Sequence, residues 1–600
     1  MKLTSTPSRS GNRRRGWALL AVMSLAAVGL IALAGVMNWA SENAAVAARN
    51  NEYFATSYAA EAATEKVLSL MSMQYQDYGF PLVVSNMSTY ASTIPTSSDS
   101  SYWSSYNFSG GHTANQVIVT NTATSQNIVM SGTYAGLNLI ANTYEVIANA
   151  QNTTTEFKIV STVGQQIYFG VIPMFQFAIF YQNDMEICPA PLMTVAGPVH
   201  GNANIYMCPG SGLLLSNTVS VVSNIFLNQS PLDPEGRSFS YVDFYGTPGE
   251  ATNPSPMNLP VGTNTTGTVS NTSQNAYAIL MLPTNGQSYT SATGTNLLYN
   301  QADVIIVVSN NNNIYVTSGA YVNNQATVIS NGQYSSWLST NGSFYDQRDS
   351  LTVNPVMINV ANLVTWSRTN TGLRSALASA RGSSQADVQS IYVADLRTNS
   401  GTQPGVVLTN GAVLPPQGLA IASPDPAYII GNWNVQLTNG GPSNAGTGNV
   451  NDTLPSAIYA DAITVLSQNW NPANGNASYS SRNVPNTGDT VNAAFFMGIV
   501  PSNGSSFSGG VENFPRFLEN WNGADFDYNG SMVQMFYSRI ANKPFVEDAP
   551  TPGAYYTPPT RHWAFDTNFS NPANQPPMTP KIIKVQPGKW ALLPPYTTSF

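Results

Sequence analysis

Charge is what this sequence lacks most. Only 9% of its 600 residues are Asp, Glu, Lys or Arg, against about 25% in an average soluble protein. Asn, Ser, Thr, Gly and Tyr take their place, which is the surface of an extracytoplasmic β-protein wetted by amides and hydroxyls. Cations are scarce where a polyanion would need them: beyond Lys66 the chain holds 15 basic residues against 26 acidic ones. A body of that sign repels DNA and RNA, so no nucleic-acid partner is expected. The only histidines are His112, His200 and His562. None lies in a motif that positions a Ser or Cys nucleophile, and each reads as a turn or surface residue. No Gly-rich stretch ends in Lys-Ser or Lys-Thr, which excludes a phosphate loop. The two cysteines, with only His200 nearby, lack the four-ligand spacing of zinc. No catalytic residue, cofactor or metal is implied.

What the chain does have is one long apolar run. Trp17 to Met37 carries no charge and is long enough to cross a bilayer core of about 30 Å. Lys2, Arg9, Arg13, Arg14 and Arg15 precede it and no cation follows until Arg49, so the N-terminus stays in the cytoplasm and the body is exported. A removable signal is the other reading, with "ALA" at Ala32 to Ala34 as its cleavage site, although the run exceeds the usual apolar length of such signals. The next stretch, "SENAAVAARNNEYFATSYAAEAATEKVLSLMSM", has no Gly or Pro and is rich in Ala, which predicts that the helix continues without a break to about Met73. Val46, Tyr53, Ala60, Val67 and Met71 fall on one stripe, the expected packing face, with Glu52 on the outer side.

The body reads as strands. "NQVIVTNTA", "ADVIIVVSN", "NIYVTSGAYV" and "QATVIS" bunch β-branched and aromatic residues between Asn, Gly and Pro turns. "MTVAGPVHGNANIYMCPGSGLLLSNTVSVVSNIFL" joins apolar triplets through Gly or Asn corners, the pattern of a parallel β-solenoid; a twisted sandwich reads similarly. Leu363, Trp366, Leu373 and Leu377 suggest one or two helices between the β-rich parts. Cys188 and Cys208 stand twenty residues apart, about one coil, which would stack them at bridging distance; buried free thiols are the alternative.

The basic leader ending in Gly16, the apolar helix that starts at once and the segment "ARNNEYFATSYAAEAATEKVL" resemble the N-terminus of PilX-type pilus-assembly proteins. That group is minor-pilin-like, related to the type IV pilins and to the pseudopilins of type II secretion. "VIPMFQFAIFYQNDMEICPAPLMTVAGPVHGNANIYM", "GLAIASPDPAYIIGNWN", "AIYADAITVLSQNW" and "VNAAFFMGIVPSNGSSFSGGVENFPRFLENW" resemble segments of its large members from Gram-negative bacteria. The resemblance implies a prepilin peptidase that cuts between Gly16 and Trp17, other pilin or pseudopilin subunits as partners, and an inner-membrane stage with the body in the periplasm before display on a pilus or the cell surface. Major pilins carry glutamate as the fifth mature residue; here that residue is Ala21, which points to a minor subunit. The expected fold is mainly β with one long N-terminal helix and solenoid-like parts. Its expected divisions are a leader at 1–16, the transmembrane and pilin-like helix at 17–76, a β-rich subdomain at 77–187, a solenoid-like region at 188–354, a helical insertion at 355–400 and a C-terminal β-rich region at 401–600.

Two other classes compete with the filament subunit. A membrane-tethered adhesin or glycan-binding protein would use exposed aromatics, with Trp433, Trp470 and Trp521 as places to look, although core packing explains most aromatics. An envelope enzyme would need carboxylates such as Glu512 and Glu519 in "ENFPRFLEN", where an ion-paired helix through Arg516 is the plainer reading. Asp525 and Asp527 offer a calcium contact or, more simply, a solvated turn. The coil argument yields a direct test: peptide mapping without reduction should recover Cys188 linked to Cys208, and quantitative alkylation of both in unreduced native protein would remove the argument.

Overall fold

The computed structural model describes residues 15–245, 250–252, 256–260, 276–291, 294–384, 386–398, 400–437, 440–441, 443–546 and 553–594. Lys2, Arg9, Arg13 and Arg14 of the leader lie outside them. The fold is mainly β with one long N-terminal helix, the class expected from the sequence. Helix α1 spans Arg15–Tyr78, 64 residues without a break, or about 96 Å at the α-helical rise. Alanine and leucine sustain it, and no proline interrupts it. Gly79 ends it with φ at 72°, a value open to a residue without Cβ, and its N–H donates to the Tyr75 carbonyl at 2.8 Å.

Two halves of α1 differ in surroundings. Every residue from Trp17 to Asn51 is exposed, and burial begins at Glu52. From there Thr56, Ala59, Ala63 and Tyr75 face inward, and the small alanines let the helix lie close to a sheet. The expected packing stripe needs correction in its upper half. Ala60, Val67 and Met71 are fully buried, but Val46 and Tyr53 are 55% and 39% exposed. A strict seven-residue step drifts by about 20° per heptad on a straight helix, so a line drawn up through Tyr53 to Val46 slides off the packed face. Glu52, expected outside, belongs to that face: its Oε1 accepts the Ile159 N–H at 2.9 Å.

The sheet under α1 has six antiparallel strands. Its centre is Asn138–Asn152 beside Val160–Pro173. The neighbour of Val160–Pro173 on the other side is Lys581–Leu593, from the far end of the chain, with Lys581 opposite Pro173 and Leu593 opposite Thr162. The expected C-terminal region at 401–600 is therefore divided, because its last strand belongs to the sheet that carries the helix. Residues 174–580 are an excursion between two adjacent strands.

Among the described residues, much of that excursion stacks in parallel coils. Ile179–Tyr181, Val199–Gly201 and Val219–Val221 pair in parallel, with Ile179 beside Val199 and Val199 beside Val219. Met185–Ile187 and Ile205–Met207 repeat the step on a second face, and Met193–Val195 and Leu213–Leu215 on a third. Each residue thus lies beside the one twenty positions on, and the parallel pairing separates this region from an antiparallel sandwich. A second series runs through Ile391, Ile421, Ile458, Phe495 and Met532, again in parallel. Met532 then pairs with Ile179, which joins the two series in one sheet of eleven strands. The helices expected at 355–400 are shorter, Val360–Thr369 and Thr371–Arg381, because Leu351–Asn359 and Ser390–Asp395 are strands of the stack.

The two halves of α1 should respond differently to charge. In a chain with residues 1–40 removed, Val67→Asp is expected to cost about 3 kcal/mol in chemical denaturation, since it buries an unpaired carboxylate. Val46→Asp should stay within about 0.5 kcal/mol of the parent, as exposed changes do. Equal losses would contradict the packing described here.

Candidate functional site

Helix α1 is the element with the most distinctive surface. Among the described residues it is the one helix long and apolar enough to cross a membrane. The Gly16–Trp17 bond lies in its first turns, with Trp17 78% exposed. Its distal half is locked by polar contacts as well as by packing. Tyr75 Oη donates to the Gly170 carbonyl at 2.8 Å, and Lys66 Nζ donates to the Ile94 carbonyl at 2.9 Å and pairs with Asp99 at 2.7 Å. The apolar half is thus held out from a fixed base.

In the coil stack, Cys188 and Cys208 form a disulfide with Cα atoms 4.4 Å apart. Polar side chains follow the same twenty-residue step beside it. Asn202 Nδ2 donates to Gln182 Oε1 at 2.7 Å, and Asn204 Nδ2 to Asp184 Oδ1 at 3.2 Å. His200 belongs to this ladder and not to a turn or the surface. It is fully buried, with Nδ1 2.8 Å from Ser220 Oγ and Nε2 2.9 Å from Asn202 Oδ1, and burial pulls its pKa down to about 4. His112 is exposed, and His562 lies 3.3 Å from Asp525 on the neighbouring strand.

The expected ion-paired helix in "ENFPRFLEN" does not form. Val511–Asn513 is a single 3-10 turn and Arg516–Phe517 is a strand. Glu512 Oε2 accepts the Cys188 N–H at 3.2 Å, while Glu519 accepts the N–H and hydroxyl of Ser467 at 2.5 and 2.8 Å. Arg516 turns to Asp349 at 3.6 Å and donates to the Ala541 carbonyl at 2.7 Å. The two glutamates therefore serve separate places in the core and are not brought together as an acid/base couple. Asp525 is exposed beside His562, and Asp527 is buried. Among the described residues no three His, Cys, Asp or Glu side chains are grouped to hold a metal. Trp433 and Trp521 are fully buried and Trp470 nearly so, which leaves no face for a sugar to stack on; Trp433 Nε1 donates to Ser456 Oγ at 2.9 Å.

Two features escaped the sequence. One is a set of carboxylates buried in the stack. Burial pushes Asp425 up to about 8, Asp489, Glu512 and Glu519 to about 7, and Asp346 and Asp566 to about 6; the Asp349 carboxylate adds to the rise at Asp346. The other is a cavity of about 510 Å³ where the two coil series meet, bounded by the Cys188–Thr194 segment on one side and by Phe545, Tyr556, Arg561 and Trp563 on the other. Of the carboxylates only Glu512 and Glu519 drew notice in the sequence, and their burial was not legible there; no local motif marks the cavity, because its two sides lie hundreds of positions apart.

No protein-family model matches the sequence, and no curated protein matches it. Among solved structures, the competence-associated pilin ComZ from Thermus thermophilus is similar with a TM-score of 0.26 and 9% identity, over 90% of this chain and 98% of that one. A likeness of that size carries no functional argument.

The buried carboxylates fix the sign of a pH effect. Their folded pKa values lie above the unfolded ones, so the protonated form favours folding. That contribution is complete below about pH 4 and is lost as pH rises through 6 to 8. Scanning calorimetry should find the stack melting at progressively lower temperature from pH 5 to pH 8. Asp425→Asn should flatten the upper part of that decline; an unchanged slope would mean that Asp425 is not a source of it.

Proposed function

We propose that this chain is a minor-pilin-like structural subunit of a type IV pilus or a type II secretion-like filament, displaying its β-rich body on the cell surface without catalytic activity. The observation that carries this reading is the division of α1. A plain anchor needs about 20 apolar residues, yet here the helix continues unbroken to Tyr78 and its distal half is built into the sheet. An apolar rod fixed in line with a folded base suits a subunit whose helix leaves lipid and packs beside the helices of its neighbours. The basic leader and Gly16 support processing by a prepilin peptidase, and the cation-free stretch after them supports an inner-membrane stage with the body in the periplasm. Burial of Trp433, Trp470 and Trp521 weighs against the alternative of a tethered glycan-binding protein.

N-terminal sequencing of protein from the native envelope tests the proposal. The expected mature residue is Trp17, because Arg13, Arg14 and Arg15 would otherwise hold the helix at the cytoplasmic face. Gly16→Phe should block cleavage and keep the full-length chain in the inner membrane while the body still folds outside. A start near Gly35 would indicate a released protein, and an intact Met1 a permanent anchor.

A further inference from the structure

The cavity at the junction of the two coil series has the construction of a binding site. Its volume, about 510 Å³, falls in the range of sites for small molecules. Aromatic rings form much of the wall: Phe507 and Phe545 meet edge to face at 5.9 Å, and Phe545 meets Tyr556 at 6.2 Å. The disulfide fixes the opposite wall at Cys188, and Pro189 and Pro191 stiffen the segment that follows.

Two arginines line the wall, and they differ in what balances them. Arg237 is held in place by Asp233 at 2.5 Å and by the Phe507 ring, 3.9 Å beneath its guanidinium. Arg561 is held by Asn513, to which Nη2 donates at 2.5 Å, and among the described residues no carboxylate is in ion-pair contact with it. Glu512 is the acidic residue on the wall. It is buried, already accepts the Cys188 N–H, and burial lifts its carboxyl to about 7; Asp233 already balances Arg237, which leaves Arg561 as the cation open to a ligand. Asn513 Oδ1 is taken as well, since it receives both Arg561 and Tyr556. Arg237 Nη2, Arg561 Nε and Trp563 Nε1 are buried within the wall without a hydrogen-bond partner among the described residues.

We propose that this cavity binds a small organic anion, a carboxylate or sulfonate on a flat apolar body, with Arg561 and Arg237 facing the anionic group and the aromatic wall covering the body. A neutral sugar fits less well, because its hydroxyls need acceptors that the wall has already committed. A cation is opposed by Arg561, which has no carboxylate in ion-pair contact among the described residues. The two guanidiniums are held by Asp233 and Asn513 before any ligand arrives, so little ordering accompanies binding. The site is independent of the filament reading, because no residue of α1 lines it.

The test uses the full-length chain in phosphatidylcholine nanodiscs, titrated calorimetrically with 2-naphthoate and with its neutral analogue 2-naphthamide, empty nanodiscs serving as the blank. Saturable binding of 2-naphthoate is expected, with 2-naphthamide weaker by about tenfold and Arg561→Gln weakening 2-naphthoate by a similar factor, as the loss of a charge-assisted contact implies. Heat no greater than the blank, equal affinity for the two compounds, or an unchanged affinity in Arg561→Gln would each overturn the proposal. Should Arg561→Gln fail to fold, the ratio between the two compounds on the parent chain decides alone.

Discussion

The pairing of Lys581–Leu593 with Val160–Pro173 is the contact on which the rest of this molecule depends. It joins strands separated by the whole excursion from 174 to 580. Closing so long a loop is entropically costly, though the cost grows only with the logarithm of its length. The return on that cost is that the coil stack begins and ends at one place on the sheet. Met532–Tyr537 repeats the device inside the stack by pairing with Ile179–Tyr181, so the last strand of the second series finds the first strand of the first. Both closures bring late residues against early ones, and between them they turn two runs of coils and a helix-bearing sheet into one body.

The parts that were legible in the sequence are those whose signal is local or evenly spaced. Helix α1 could be read because composition alone sustains it to its glycine stop. The twenty-residue step between Ile179, Val199 and Val219 could be read because the corners of those coils have equal length. In the second series the step is 30 and then 37 residues, from Ile391 through Ile421 and Ile458 to Phe495. The strands are only a small share of each step, and long irregular corners dilute any period that the eye would find. The strand at 581–593 was out of reach for a different reason: its partner is chosen by the three-dimensional closure and not by its neighbours in the chain.

Side chains followed the same division. Pairs that depend on coil register, such as Cys188 with Cys208, could be anticipated from spacing. Glu512 and Glu519 could not, because seven residues suggest one helical face only if there is a helix, and the segment folds as a turn and a strand. His200 and Trp433 show a related limit. A polar or amphipathic residue in an amide-rich sequence looks like surface, yet inside a coil stack a register partner such as Ser220 or Ser456 satisfies it and lets it be buried.

The adjacency of Pro173 and Lys581 also decides how the molecule carries mechanical load. Val160–Pro173 and Lys581–Leu593 leave the sheet at the same edge, so tension applied to the stack draws both strands in the same direction. The share carried by Lys581–Leu593, an edge strand, crosses their common ladder to Val160–Pro173. From there the load passes to the pairing of Val160–Pro173 with Asn138–Asn152, which runs from Val160 opposite Gln151 to Val171 opposite Ile140. Those hydrogen bonds lie across the direction of pull and resist together in shear, and α1 is clamped over the same strands. A pull on the coil stack thus reaches the base through the longest ladder in the sheet, with both of its tethers sharing the strain.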